Sequence, residues 1–148
     1  MALPRKILVP TDFSDHSNRA LDYAVELATK LDAEVHVVHV YEIPFLSVPD
    51  APWVITSDVV QSIESASRGA LERLIKNRGG AKIKPMLRSG DARAQIEAAC
   101  AEVGADLIVM GTHGRRGIAH ALLGSVAEYV MRTAAIPVLT VRAVAQAA

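Results

Sequence analysis

The 148-residue chain balances 16 lysines and arginines against 16 aspartates and glutamates, so no net positive field draws it to nucleic acid or an anionic membrane surface. Its 51% hydrophobic content suffices for one buried core, and its length fits a single domain over residues 1–148. The lone Cys100 excludes an intramolecular disulfide, and neither a signal-peptide core nor an apolar run near the roughly 20 residues that span a bilayer is present, so a cytoplasmic protein is expected.

Ile7-Leu8-Val9 is a continuous apolar run closed by Pro10, the pattern of a strand buried on both faces of a parallel sheet. After Thr11-Asp12-Phe13, Ser14 is placed to cap a helix whose Leu21, Ala24, Val25, Ala28 and Leu31 recur at three- and four-residue intervals. Val35 to Tyr41 reads as a second strand, with His36 and His39 on opposite faces because they are three residues apart. A shared metal between them is not expected. Ile43 to Ser57 contains Pro44, Pro49 and Pro52 and reads as an extended surface loop, in which Trp53 serves either as a packing anchor or as a shield for a ligand or partner.

From about Asp58 to Arg78, Val59, Ile63, Ala66, Ala70, Leu71, Leu74 and Ile75 have helical spacing, ended by Gly79-Gly80. Lys82 to Arg88 mixes charged and apolar side chains as a strand near a sheet edge does, and Gly90-Asp91 turns the chain into a helix. That helix carries Ile96, Ala99, Cys100 and Val103 on its buried face and stops at Gly104. Leu107 to Met110 is a second wholly apolar strand. A helix from about Gly124 to Ala134 follows, then Pro137 opens a last strand, Val138 to Val141, and the tail from Ala143 is expected to fray.

Strands and helices alternate throughout, which with right-handed crossovers gives an α/β fold of the Rossmann-like class, a five-stranded parallel sheet with helices on both faces. The two most apolar strands belong at its centre, giving the order 3-2-1-4-5. Winding then reverses between strands one and four, and ligands of open α/β sheets bind at the carboxyl ends of the strands flanking such a reversal. The predicted crevice is lined by Pro10, Thr11 and Asp12 and by Met110 to Gly114.

The segment after the fourth strand suits an anion. Glycines at 111, 114, 117 and 124 allow positive φ or the close approach of a ligand, Gly124-Ser125 opens a helix whose first amides and dipole attract negative charge, and Arg115 and Arg116 add mobile positive charge. The structural alternatives are plain turn glycines, solvated arginines and a Ser125 that merely starts a helix.

The spacing Gly111-x2-Gly114-x9-Gly124-Ser125 resembles the nucleotide motif of the ATP-binding universal stress proteins. Lys6 to Ser14 resembles that family's first strand and turn, Gly104 to Gly111 its fourth strand, and Ile136 to Leu139 its last, so the likeness runs from about residue 4 to residue 142. The resemblance implies an adenine-nucleotide α-hydrolase-like fold and an adenine nucleotide, ATP or a relative, as ligand. It places Pro10, Thr11 and Asp12 beside the nucleotide, with Asp12 near the ribose or a nucleotide-bound Mg2+, and the backbone of Val40 against adenine. It assigns ribose and phosphates to Met110, Gly111, His113, Gly114 and Arg115, and the phosphate chain to Gly124, Ser125 and Val126. It also implies a homodimer through the last strand and a role in stress-response signalling.

Asp12 reads alternatively as a helix-flanking cap, and His16 and His120 read as surface residues. The sequence has no G-x-x-x-x-G-K-[ST] loop, no kinase-like catalytic loop and no G-x-G-x-x-G after the first strand. A regulatory binder is therefore expected rather than an efficient enzyme. A slow hydrolase or phosphotransferase using Asp12 and Arg115, and a nucleotide-free dimeric chaperone-like module, are the alternatives.

Overall fold

The structure, a computed structural model, describes residues 2–44, 56–113 and 123–142. In chain order the elements are β1 (Lys6–Thr11), α1 (Asp15–Leu31), β2 (Glu34–Tyr41), α2 (Ser57–Lys76), β3 (Lys82–Ser89), α3 (Ala92–Val103), β4 (Leu107–Gly111), α4 (Ser125–Thr133) and β5 (Val138–Val141). All strand pairs are parallel and the order is β3-β2-β1-β4-β5, as the apolar pattern predicts.

Each sheet face carries its own core. Ile7, Val9, Val35, Val37 and Val109 pack beneath α1 and Leu71 of α2, and Leu8, Val38, Ile108 and Met110 pack beneath α3 and α4. Helices therefore cover both faces, and the central strands β1 and β4 are apolar without alternation because neither face meets water.

Local signals set the helix ends. Ser14 caps α1 by accepting from Ser17 N at 3.2 Å, Asp91 caps α3 by accepting from Ala94 N at 3.1 Å, and Gly104 closes α3 in the left-handed region at φ 65°. Asp106, just before β4, accepts from Arg5 N at 2.9 Å and Lys6 N at 3.0 Å, tying the start of β4 to the start of β1. Asp106→Ala is accordingly expected to lower stability by about 1 kcal/mol in urea unfolding, without loss of the sheet.

Several expectations need correction. β1 does not stop at Pro10 but runs on to Thr11, with Pro10 paired to Val38. Proline's fixed φ lies within extended geometry, so its cost is one ladder hydrogen bond rather than the strand. The apolar spacing of α2 continues to its N-terminus, yet Val59 is 46% exposed and Leu71 alone is buried, with Leu74 and Ile75 partly so, because only the C-terminal half packs on the core. Cys100 is half-buried at the edge of the α3 core rather than inside it. Desolvation, and secondarily Glu97, push its thiol pKa up, which keeps it a poor nucleophile. Trp53, the proline-rich segment 45–55, and the tail 143–148 lie outside the described residues.

Candidate functional site

The carboxyl ends of β1 and β4 lie side by side, so Thr11 and Asp12 come close to Met110, Gly111 and Thr112 at the point where strand order reverses. The β1–α1 turn is held by short-range bonds. Thr11 is buried and its Oγ1 accepts from Phe13 N at 3.1 Å and meets Ser17 Oγ at 3.2 Å, while Asp12 Oδ1 accepts from Ser14 N at 3.0 Å. Asp12 thus shapes the turn with one carboxylate oxygen, and the capping role belongs to Ser14.

Phe13 adopts φ 65°, a region that an aromatic side chain enters only when its surroundings hold it there. They do so through His39. The two rings pack at a tilt of 41° with centroids 4.3 Å apart, and His39 Nδ1 lies 2.8 Å from the carbonyl of Thr11. His36, on the opposite face of β2, is buried and lies 3.3 Å from Glu34, which is held below its usual pKa chiefly by Lys84. The predicted separation of the two histidines is what the strand shows.

On the β4 side, Met110, Gly111 and Thr112 are buried. Thr112 is the anchor of the segment that follows: its N–H donates to Val141 O at 3.3 Å and its carbonyl accepts from Gly124 N. The chain leaves the sheet at His113 and returns at Gly124 to the same residue, which sets the N-terminus of α4 beside the end of β4. Gly124 is the N-cap and has no side chain to bond the first turn, and the amides of Ser125, Val126 and Ala127 precede the first intrahelical donor, Glu128 N to Gly124 O at 2.9 Å. These amides and the helix dipole give a positive end directed at the crevice.

Positive φ explains neither Gly111 nor Gly124. Gly124 has φ −72°, and Gly111 is not among the positive-φ glycines of the described residues. Close approach accounts for Gly111: a Cβ there would stand 2.9 Å from the backbone carbon and oxygen of His16, so the first turn of α1 rests directly on β4. The same contact corrects the surface assignment of His16. Its Nδ1 is buried, and its ring lies 5.4 Å from that of His113, whose Nδ1 is 3.1 Å from Thr112 Oγ1.

Of the residues singled out in the sequence, Val40, Met110 and Val126 meet around one apolar cluster on the α3–α4 face. Pro10, Thr11, Asp12, Gly111 and His113 line the strand ends, and Gly124 and Ser125 sit at the start of α4. Gly114, Arg115, Arg116, Gly117 and His120 lie outside the described residues. Sequence reasoning read His16 as a surface residue and His39 only as a strand residue, whereas Thr112 lay within the predicted crevice. The usable signal for His16 was its place in the first turn of a helix leaving a switch-point strand.

A cleft of about 480 Å³ lies at the other end of the sheet, between Arg5, Lys6, Thr29, Asp32, Glu34 and Lys82. Its cations face Asp32 and Glu34, and it sits at the amino ends of the strands, away from the switch point that ligands of such sheets use.

The description of one family, "Universal stress protein family", fits residues 4–142 of this chain. The chain belongs to the universal stress protein family. Universal stress protein MJ0531 of Methanocaldococcus jannaschii is 37% identical over 144 residues, covering 95% of this chain and 83% of that one. The solved structure of MJ0577, a universal stress protein of the same organism, superposes with a TM-score of 0.78 at 26% identity, covering 95% of this chain and 96% of that one. A universal stress protein solved in complex with cAMP matches with a TM-score of 0.64 at 27% identity, over 95% of this chain and 98% of that chain. No helix among the described residues of this universal stress protein is long and apolar enough to cross a membrane.

Proposed function

We propose that this universal stress protein binds an adenine nucleotide, ATP or a close relative, at the β1–β4 switch point, and that the nucleotide acts as a regulatory ligand in cytoplasmic stress-response signalling. The observation that carries the reading is the return of the chain from His113 to Thr112 through Gly124, which sets the uncapped N-terminus of α4 against the end of β4. Phosphates lie against the amides of Ser125 and Val126, with Gly114 and Arg115 completing the cradle from the intervening segment. The adenine sits beside Val40, and ribose between Asp12 and Met110 to His113. A universal stress protein crystallised with cAMP supports the ligand class.

Mg2+ enters with the phosphates rather than in a protein-built site. Among the described residues no three or more His, Cys, Asp or Glu side chains gather as metal ligands, and Asp12 offers a single carboxylate at the crevice. Two copies pair through β5, whose residues are half-buried along the sheet edge.

Native mass spectrometry of gently purified protein tests both parts together: the expected species is a dimer carrying one adenine nucleotide per protomer. A bare monomer, with no thermal shift on adding Mg-ATP, contradicts the proposal. Phosphate release near ordinary turnover, about 10 per second, would instead make the protein an enzyme.

A further inference from the structure

Two polar atoms in the first turn of α1, His16 Nδ1 and Asn18 Oδ1, are buried with no hydrogen-bond partner among the described residues. Such orphans weaken a fold, and their presence calls for a reason such as a water, an ion or a ligand. The His16 backbone is pressed against Gly111 at the end of β4, and its ring stands 5.4 Å from the His113 ring at an interplanar angle of 53°. Thr112, bonded to His113 through its hydroxyl, also receives Gly124 N at the start of α4. Two imidazoles, one on α1 and one just after β4, thus stand beside the strand end to which the start of α4 is bonded. An anion beside them would favour the charged form of both imidazoles.

We propose that His16 is a further phosphate-binding residue of this site, and that the His16–His113 pair couples nucleotide binding to proton uptake. The inference rests on the adenine-nucleotide reading and adds to it a third structural element, α1, and a response to pH. A neutral imidazole offers one N–H, and its protonated form offers two together with a positive charge. With phosphate beside the pair, the bound state holds its proton more tightly than the free state. Affinity therefore rises as pH falls through the imidazole range and levels off once both states are protonated.

Among the described residues, the other charged and titratable groups on the elements that meet here are Asp12 in the preceding turn, Asp15 and Arg19 on α1, His39 on β2, Glu128 in the first turn of α4 and Arg142 after β5; Arg115, Arg116 and His120 lie outside the described residues. His39 is engaged with the Thr11 carbonyl and the Phe13 ring. Comparison with His16→Gln isolates the part of the response that belongs to His16.

The test is calorimetric titration of the full chain with Mg-ATP at about pH 6 and about pH 8, each in two buffers of different ionisation heat, for the wild type and His16→Gln. Protonation of ATP itself is common to both proteins and cancels in the comparison. The wild type is expected to bind more tightly at the lower pH with net proton uptake, and His16→Gln to lose about tenfold in affinity there along with most of that uptake. Equal affinity and uptake in the two proteins would overturn the role of His16 while leaving nucleotide binding intact. No binding by the wild type at either pH would remove the nucleotide reading and this inference with it. Imidazole resonances of the unaltered protein give the answer without a substitution: ATP must shift those of His16, and an unmoved signal in a protein that binds ATP contradicts the proposal.

Discussion

Gly124→Val is expected to weaken Mg-ATP binding at least about 100-fold, close to 3 kcal/mol, while leaving the domain folded. The backbone at Gly124 has φ −72° and ψ 158°, extended values that valine adopts without strain, and its amide still reaches Thr112 O. The fold loses only the small N-cap preference for glycine over valine, about 1 kcal/mol or less. A branched side chain here projects beside the first amides of α4, where the phosphates are placed. Gly114→Val, at the other end of the glycine segment, is expected to act alike. Isothermal titration together with circular dichroism separates loss of binding from loss of fold, and retained ATP affinity in both variants would mean that the phosphates bind elsewhere.

Gly111→Ala is expected to destabilise the fold itself, by about 1–3 kcal/mol, the usual cost of forcing a methyl group into a closed contact. Its Cβ would meet the His16 backbone at 2.9 Å, and neither a strand nor the first turn of a helix can rotate such atoms aside. α1 has to move away from β4, and the spacing between His16 and His113 changes with it. The melting temperature is expected to fall by several degrees. Gly79→Ala is the control: nothing lies within 4 Å of the added Cβ there, and a change within about 0.5 kcal/mol is expected. Equal melting temperatures for the two variants would show that α1 and β4 are not in the tight contact described.

The fold was legible because its signals are local and redundant. Continuous apolar runs at Ile7 to Val9 and Leu107 to Met110 mark strands covered on both faces, and the caps at Ser14, Asp91 and Gly104 fall where side-chain chemistry places them. Parallel pairing and right-handed crossovers then leave few arrangements, and 3-2-1-4-5 is the one observed. The end of β1 was misjudged because proline was treated as a terminator, although extended backbone accommodates it. How far α2 is buried was not legible, because periodicity shows which face of a helix is apolar and not how much of the helix the sheet covers.

The candidate site was legible in position and only partly in cause. The switch-point rule brings Thr11 and Asp12 to Met110 through Thr112 without knowledge of any ligand. Gly111, in contrast, is small because of α1, a contact over roughly a hundred residues of sequence that no spacing announces. His16 escaped for the same reason. Its burial depends on the meeting of α1 with β4, whereas in sequence it is one polar residue among Asp15, Ser17 and Asn18.

The most direct measurement is a crystal structure of this universal stress protein grown with Mg-ATP. The account predicts phosphate oxygens within hydrogen-bond distance of the Ser125 and Val126 amides, adenine beside Val40, and the Asp12 carboxylate at the ribose or the metal. Density showing the nucleotide at the opposite end of the sheet, or the space before α4 filled by the protein's own side chains, would contradict it.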